Sequence, residues 1–337
     1  MRWDTPVSHA ALATPKPPGV RYMARMRMER ALERRTSGSA GGGSLLALAV
    51  AVTAIWGFNF VVIKVGTDHV PPLLLAALRF FFVGVPAVAI VRRPAASAWS
   101  VAAYGLFLGV GEFGLLFTAI KLGAPTGLSS LILQAQAFFT ALLAVPLLKE
   151  RLTWPSAAGL LVGGSGLALI GWKDDQPGAW GGHFVLALSM LVAAGLMWAV
   201  ANVLARRIGN VGGLSLVVWS SLASPAPLLL LSWLIEGPAA IEAAIGSLSW
   251  SAVAALAYLV ALSTWFGYGA WNHLIAKHGA SRVAPFSMLV PIFGVTSGAL
   301  FLGEVLTAWH AAAAALVLLG LSLHAWGART RASLTRA

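Results

Sequence analysis

Two charged residues of opposite sign interrupt long apolar stretches of this sequence. Arg79 lies near the middle of PPLLLAALRFFFVGVPAVAIV, which starts at Pro71 and contains no other charged residue. Glu112 lies inside a second apolar stretch, GVGEFGLLF. An arginine in the middle of a membrane costs about 2.5 to 3.5 kcal/mol on insertion scales, so Arg79 should face a bundle interior or a wet cavity. Because a counter-charge is the natural compensation, we expect Arg79 and Glu112 to lie near one central cavity.

Three roles for these two charges stay open at the level of the sequence. Arg79 and Glu112 could form a structural pair that fixes the packing of two helices. Alternatively, Arg79 could bind a carboxylate while Glu112 meets an ammonium group or a coupling proton. Arg79 could also extend its long side chain to the membrane surface.

An aromatic residue and an amide share a helix face at two places in the sequence. Trp56 precedes Asn59 by three residues, and Trp198 precedes Asn202 by four. Residues at these spacings lie on the same side of a helix. The two pairs therefore indicate either the lining of a polar cavity or amide hydrogen bonds between helices.

Further polar residues lie in other apolar stretches. Gln134 and Gln136 are two residues apart, so on an unbroken helix they point about 200° away from each other. One of them should face the cavity and the other a neighbouring helix. Thr264 and Tyr268 share a face, and the position of Tyr268 in the chain corresponds to that of Glu112 in a repeat discussed below.

Three more residues are candidates for a role at the edges of such a cavity. Lys64 ends an apolar stretch, where it would either extend to the membrane surface or form an outer basic contact for an anion. Pro285 and Pro291 interrupt another stretch, and each removes a backbone donor, so the segment between them is a candidate hinge.

The sequence argues against several other kinds of chemistry. It has no cysteine, which excludes disulfides, thiol catalysis and cysteine-ligated metals. The motifs of zinc proteases, serine hydrolases and nucleotide-binding loops are absent, and the seven histidines are dispersed. We therefore expect no enzyme activity, no metal site and no cofactor.

The composition places the candidate residues on membrane-spanning helices. Hydrophobic residues make up 58% of the 337 residues and charged residues only 10%, against about 25% in soluble proteins. A span needs about 20 apolar residues. Ten such runs occur, and strands of a barrel would instead show ten-residue alternation. The predicted spans are Ser44–Lys64, Pro72–Val91, Trp99–Ile120, Thr126–Leu148, Pro155–Trp172, His183–Ala205, Gly213–Ile235, Leu248–Trp271, Val283–Leu302 and Thr307–Gly327.

The loop charges predict how these spans are oriented. The loops after the even-numbered spans and the C-terminal end carry 11 cations: Arg92, Arg93, Lys149, Arg151, Arg206, Arg207, Lys277, Arg282, Arg329, Arg331 and Arg336. The opposite loops carry three: Lys64, Lys121 and Lys173. Positive charge marks the cytoplasmic side, so both termini should be cytoplasmic in a multi-pass protein of the bacterial inner membrane. The net charge of +12 thus reflects topology, and no nucleic-acid partner is expected.

An internal repeat divides the spans into two groups of five. GAPTGLSSLILQAQAFFTALLAVPLLKERLT starts at Gly123, and GASRVAPFSMLVPIFGVTSGALFLGEVLT starts at Gly279. An odd number of spans per unit gives the two units opposite orientations, as in many secondary transporters. The predicted fold is an all-α membrane protein with two inverted five-helix repeats, 44–172 and 180–327. A basic, disordered tail (1–43) precedes them and a cytoplasmic tail (328–337) follows.

Several segments resemble the EamA family of the drug/metabolite transporter superfamily. These are AIWGFNFVVIKVG, LRF, LSSLILQAQAFFT, ERLT and APFSMLVPIFG, and the resemblance extends from Ser44 to Gly327. LQAQAFFT together with WGFNFVVIKVG is similar to the subgroup described as O-acetylserine/cysteine exporters. One departure is Glu112, because the family often carries an uncharged Gln at that position.

The resemblance implies an exporter of small amino-acid metabolites that is driven by an ion gradient. The inverted repeats indicate alternating access, and the buried carboxylate of Glu112 makes protons the expected coupling ion. Its partners would be the small-molecule substrate and the bilayer, and it would act as a monomer or a homodimer. The alternatives are an exporter of other metabolites or drugs, a channel, or a membrane enzyme. A channel would need a ring of carbonyls or charges, which the sequence does not show.

Overall fold

The computed structural model describes residues 20–174, 179–209 and 211–334. These residues form helices and connecting turns, and they contain no strand. The predicted all-α membrane fold is confirmed. Within the described ranges, nine helices are long and apolar enough to span a bilayer, and a bent pair makes a tenth if its two parts form one span.

We number the helices by predicted span. Their bounds are α1 Leu45–His69, α2 Pro72–Ala89, α3 Ala98–Lys121, α4 Thr126–Leu148, α5 Trp154–Lys173, α6 Phe184–Ile208, α7a Gly213–Ala223, α7b Pro225–Glu236, α8 Trp250–His278, α9 Ala284–Leu302 and α10 Ala308–Gly327. A short helix, Pro238–Gly246, lies between α7b and α8, and another, Ala280–Val283, between α8 and α9.

The chain divides into two units, Met1–Ala47 and Leu48–Ala337. In the first unit, residues 20–43 are helical where the sequence predicts disorder, while residues 1–19 of the predicted tail lie outside the described residues. The stretch RYMARMRMERALERR consists mostly of good helix formers, which accounts for the difference over residues 21–35, whereas helix propensity does not explain the helix over TSGSAGGG. The structural findings below concern the second unit.

Several predicted helix boundaries need correction. The α-helical part of α2 ends at Gly84, and after Pro86 only a 3₁₀ turn, Ala87–Ala89, follows. The bent pair α7a and α7b meets at 42° beside Pro225, which cannot donate a backbone hydrogen bond. Helix α8 continues to His278, seven residues beyond its predicted end, so Lys277 lies in its last turn rather than in a loop.

The two halves meet along helix pairs of matching number. Helix α2 packs against α7b, α4 against α9, and α5 along α10. Glycines allow the α5–α10 pair to approach closely, since a Cβ at Gly159 would lie 2.5 Å from the carbonyl oxygen of Gly320. These pairs, together with the packing of α6 against α3 and α4, join the half that contains α1–α5 to the half that contains α6–α10.

The starts of the helices differ in how their first N–H groups are satisfied. Helices α3, α5 and α8 are capped by their own side chains, because Ser97, Thr153 and Ser249 accept hydrogen bonds from nearby backbone N–H groups. Helices α2 and α4 instead follow Pro71 and Pro125, which have no side-chain oxygen. Their N–H groups must find acceptors elsewhere.

Candidate functional site

Arg79 lies on α2 and is only 2% exposed. Its Nη2 donates a hydrogen bond to the hydroxyl of Thr264 on α8, at 3.3 Å. The guanidinium carbon lies 4.0 Å from the centre of the Phe113 ring, so one face of the cation is covered by an aromatic ring. Within the described residues, Nε and Nη1 have no hydrogen-bond partner. Arginine has five donors in a fixed planar arrangement, and the three N–H groups on Nε and Nη1 are therefore available.

Glu112 lies on α3 next to Phe113 and is also 2% exposed. Its Oε2 is buried without a hydrogen-bond partner among the residues that the structure describes. The fold brings Glu112 near Arg79 closely enough for their charges to interact, but over the described ranges the two make no ion-pair contact. Both members of the pair expected from the sequence are present, with free donors on one and a free acceptor on the other.

Two tyrosines complete the polar surroundings of these charges. Tyr268 on α8 lies near both Arg79 and Glu112. Tyr104, which is 8% exposed on α3, lies near Tyr268 and Glu112. Tyr268 was singled out in the sequence because it corresponds to Glu112 in the repeat, whereas Tyr104 was not among the predicted site residues.

Two π-helical segments carry or flank these residues. One is Leu106–Gly114 in α3, which contains Glu112 and Phe113, and the other is Tyr258–Phe266 in α8, which contains Thr264. The Thr264 hydroxyl donates to the carbonyl oxygen of Leu259, five residues earlier, at 2.8 Å. π-Helical turns are rare and are frequent at functional sites. Here one such segment lies in the third helix of each half.

Trp56 joins α1 to the π-helical segment of α8. Its indole N–H donates to the carbonyl oxygen of Ser263 at 2.9 Å. Its ring centre lies 5.5 Å from that of Tyr268 and 5.2 Å from that of Trp271. Asn59 on the same face is 7% exposed, and its Oδ1 is unpartnered within the described part of the chain. Asn59 lies in the interior of the bundle, and Trp56 is partly buried beside it.

The corresponding residues of the second half have a different environment. The Nδ2 of Asn202 donates to Gln136 Oε1 at 2.7 Å and to Thr140 Oγ1 at 3.2 Å. These bonds join α6 to α4. Trp198 is partly buried against the main apolar core. Asn202 and Gln136 therefore connect helices, and the structure does not bring them together with Arg79.

Gln134 lies at a break in α4. The helix is interrupted between Ile132 and Ala135, and Gln134 is 8% exposed at that break. Ser130, one turn earlier, donates to Gly127 O at 2.7 Å and approaches Pro291 O at 3.5 Å. The sequence left open which of Gln134 and Gln136 faces a neighbouring helix, and the structure shows Gln136 bonded to α6, while Ser130, on the same side as Gln134, approaches α9.

Lys64 and the two prolines lie away from Arg79. Lys64 pairs with Asp68 in a contact that is partly open to solvent, with the lysine side chain 34% exposed. Pro285 lies in the 3₁₀ turn Ala284–Met288, and Pro291 lies in the first turn of the α-helix Leu289–Leu302, where its missing N–H leaves no helix bond unmade. The change from 3₁₀ to α geometry thus falls between the two prolines.

Comparison with known proteins identifies the family. The profile of the EamA-like transporter family matches residues 43–172 and again residues 185–326. The chain belongs to the EamA-like transporter family. The two matches correspond to the two groups of five spans.

Individual relatives agree with this assignment. The chain is 41% identical over 289 residues to a Salmonella typhimurium protein named "Probable amino-acid metabolite efflux pump", covering 84% of this chain and 95% of the relative. An Escherichia coli protein of the same name is 37% identical with the same coverage. A Streptantibioticus cattleyicolor protein named "Probable terminal-alkyne amino-acid exporter" is 28% identical, covering 76% of this chain and 85% of the relative.

A solved crystal structure shares the fold. It aligns with a TM-score of 0.57 at 20% identity and covers 83% of this chain and 95% of its own. Together with the family match, these relatives show a multi-pass membrane transporter of small metabolites in the drug/metabolite transporter superfamily. They are named as transporters and efflux pumps, so this EamA-like protein is not an enzyme.

Phe113, Tyr104 and the π-helical segments were missed by sequence reasoning. Phe113 is adjacent to Glu112, and an aromatic ring beside a buried charge is a usable signal, because arginine commonly stacks on aromatic faces. The π-helical geometry leaves no comparable signal in GVGEFG, whose glycines are equally compatible with close packing of an α-helix.

Proposed function

We propose that this EamA-like transporter exports a small zwitterionic amino-acid metabolite, with Arg79 and Glu112 binding its two charged groups. The observation that carries the proposal is the free Nε and Nη1 of Arg79 near the free Oε2 of Glu112, all buried and without partners within the described residues. Unpaired charges are costly to bury. A bound zwitterion would supply a carboxylate to the guanidinium and an ammonium group to Glu112.

The names of the relatives support the chemical class of the cargo. Two are named for amino-acid metabolites and one for an amino acid with a terminal alkyne. O-acetylserine and cysteine are the first compounds to test, because the LQAQAFFT segment resembles the subgroup described by them. Trp56, Asn59, Gln134, Thr264 and Tyr268 would line the path around the charged groups.

The transport mechanism that fits this arrangement is alternating access. Arg79 lies in the first half, while its partner Thr264 lies in the second, so the proposed site is shared between the two halves. Rocking of one half against the other would expose the site to each side of the membrane in turn. The hinge proposed between Pro285 and Pro291 would contribute to that movement.

Counterflow in liposomes tests the substrate class. Liposomes that contain the purified protein are loaded with unlabelled O-acetylserine. Uptake of labelled O-acetylserine is then measured in the presence of each of a panel of competitors. We expect saturable exchange, which a channel would not show, and much weaker competition by the amide and N-acetyl derivatives that lack one charge. Equal competition by zwitterions and derivatives would contradict the assignment of Arg79 and Glu112 as a pair of binding groups.

Arg79→Lys tests the role of the guanidinium while retaining the positive charge. Hydrogen bonds to charged groups contribute about 1.5 to 3 kcal/mol, so we expect KM for exchange to rise about tenfold or more. Lys64→Gln serves as a control, since it removes a cation whose contact is partly open to solvent. If Arg79→Lys changes neither KM nor kcat while the protein remains folded, direct substrate binding by Arg79 is wrong.

A proton-coupling role for Glu112 is a second proposal for the same residue. Its Oε2 is buried without a partner in the described ranges and would accept a proton on one side and release it on the other. We expect Glu112→Gln to raise KM for exchange, because the ammonium group loses its counter-charge, and to lose uphill efflux driven by a proton gradient even at saturating substrate. Full gradient-driven efflux by this variant would eliminate the coupling role and leave the binding role to be judged by counterflow.

The location and orientation are also proposals. The bacterial relatives and the 11-to-3 charge bias support the inner membrane, with both termini in the cytoplasm. Because the chain has no cysteine, single cysteines at Ser8 and Ser333 provide clean reporters. An impermeant maleimide added to intact cells should label neither, and both should react after lysis. Labelling of only one in intact cells would contradict an even number of spans.

A further inference from the structure

The first N–H groups of α2 and α4 are capped by two carboxylates from the other half of the molecule. Glu304 follows α9. Its Oε1 accepts hydrogen bonds from the backbone N–H of Thr126 and, at 2.8 Å, from the Thr126 hydroxyl, and its Oε2 accepts from the N–H of Gly127 at 2.9 Å. Glu236, at the end of α7b, accepts from the N–H groups of Leu73 and Leu74, at 2.7 and 3.3 Å.

The local sequence is built to make the Glu304 contact possible. Gly303 adopts a left-handed conformation with φ +67°, which ends the helix and turns the chain back. A Cβ at Gly298 would lie 2.4 Å from Glu304 Oε2, so only glycine leaves room for the carboxylate. On the other side, Pro125 gives α4 no cap of its own. The uncapped N–H groups at the start of α4 in the first half are therefore matched by the carboxylate of Glu304 in the second half.

Both contacts lie at the same end of the molecule, which we call the Lys64 end. It contains the start of α2, the start of α4, and Lys121, whose Nζ donates to the carbonyl oxygen of Thr67 at 2.6 Å. Glu236 ties the α2–α7b pair and Glu304 ties the α4–α9 pair. These are two of the helix pairs that join the halves.

The opposite end of the α2–α7 pair is joined differently. There, Ser215 Oγ donates to the carbonyl oxygen of Arg92 at 2.6 Å, and the indole N–H of Trp219 donates to that of Val91 at 2.9 Å. These bonds are between neutral groups. Bonds to an ionised carboxylate are roughly twice as strong as neutral ones. The Lys64 end of this pair is therefore held more strongly than its opposite end.

We propose that Glu236 and Glu304 form a latch that closes the Lys64 end and must release in each transport cycle. Opening that end separates α2 from α7b and α4 from α9, and both carboxylate contacts then break. The two carboxylates are only partly buried, so water can replace their partners when the halves part. The proposal rests on movement between the halves and not on the identity of the cargo.

A single cysteine reports on the opening. Ser130, 1% exposed, lies one turn below Thr126 between α4 and α9, and Ser130→Cys places a thiol beneath the latch in a chain that has no other cysteine. Its reaction rate with an impermeant maleimide is measured in proteoliposomes, with the reagent added to each side of the membrane in turn. The rate from the Lys64 side measures the population open at that end.

Glu304→Gln in this background keeps the size of the side chain but removes its charge. Loss of the charge-assisted bonds should raise labelling from the Lys64 side about fivefold or more and should not raise it from the other side. Glu236→Gln should act in the same direction, and the double variant should exceed either. Glu242→Gln is the matched control, because Glu242 is exposed on the short helix Pro238–Gly246.

The outcomes separate the latch from the other proposals. Unchanged labelling in a Glu304→Gln protein with the parent elution and melting profile would overturn the latch. If that variant does not fold, Glu236→Gln decides by the same measurement, since it removes the other carboxylate. Labelling requires no substrate, so a latch that behaves as expected remains supported even if no amino-acid metabolite is exchanged.

Discussion

The guanidinium of Arg79 is stabilised by a combination of contacts that no single residue type in the sequence indicates. Its face rests on Phe113, one nitrogen donates to Thr264, and in the part of the chain that the structure describes it makes no ion-pair contact with Glu112. The sequence correctly placed Arg79 in the interior, because lipid contact would be too costly. It did not indicate a hydroxyl as the direct partner, since that contact depends on the π-helical geometry of α8.

Phe113→Leu should weaken substrate binding if Arg79 is the binding cation. A desolvated cation–π contact contributes up to about 2 kcal/mol, so KM for exchange should rise by at most about 30-fold. The lost ring would also leave the guanidinium less well fixed for its ligand. Counterflow kinetics in liposomes measure the change.

Phe117→Leu is the control for that substitution. Phe117 is fully buried, and its ring centre lies 5.9 Å from that of Phe113. Among the described residues, the rings that the Arg79 guanidinium lies over are those of Phe80 and Phe113, not that of Phe117. We expect it to lower the melting temperature without raising KM. Similar KM values for both variants would show that the effect of Phe113 comes from general packing.

At the scale of the helices, the sequence predicted where membrane spans exist better than where they break. The mean hydropathy of each run indicates a span, because about 20 apolar residues are needed to cross a bilayer. The interruption at Leu133 and Gln134 and the π-helical segments in α3 and α8 do not change hydropathy. They arise from packing between helices, which no single apolar run encodes.

Asn202→Ala should destabilise the contact between α4 and α6 without affecting the proposed site. Asn202 donates to Gln136 and Thr140, and such bonds between membrane helices contribute about 0.6 to 1.7 kcal/mol. We expect a lower melting temperature in detergent and an unchanged KM. A double-mutant cycle with Gln136→Ala measures the coupling, and a coupling energy of zero would contradict the hydrogen bond.

The α5–α10 pair offers a test of close packing with a neighbouring control. A methyl group at Gly159 would lie 2.5 Å from Gly320 O, whereas one at Gly164 would meet no heavy atom within 4 Å. Overpacking of this kind costs about 1 to 3 kcal/mol. Gly159→Ala should therefore lower the melting temperature clearly, while Gly164→Ala should leave it unchanged or slightly higher. Equal effects would show that the two helices pack less tightly than the structure indicates.

At the scale of the whole molecule, the repeat explains what the sequence could and could not predict about the site. The matching segments predicted that the chain has two halves and that Tyr268 occupies the position in the second half that corresponds to Glu112 in the first. Equivalent positions need not keep equivalent roles, however, because Asn202 bonds to Gln136 and Thr140 on α4, whereas the Oδ1 of Asn59 has no partner in the described part of the chain. The two inverted halves have similar arrangements of helices, but equivalent residues in them have different neighbours. The repeat therefore predicts where a residue lies more reliably than which residues it contacts.

The capping of two helices of the first half by carboxylates of the second half has a consequence for biosynthesis. When the ribosome has produced residues 44–172, the starts of α2 and α4 still lack the carboxylates of Glu236 and Glu304, which are more than 60 residues further along the chain. The first half would enter the bilayer with two incomplete helix ends and would mature only when the second half arrives. Co-translational insertion of this protein would thus finish with a late joining of its two halves, and its N-terminal half alone would be a poor candidate for independent expression.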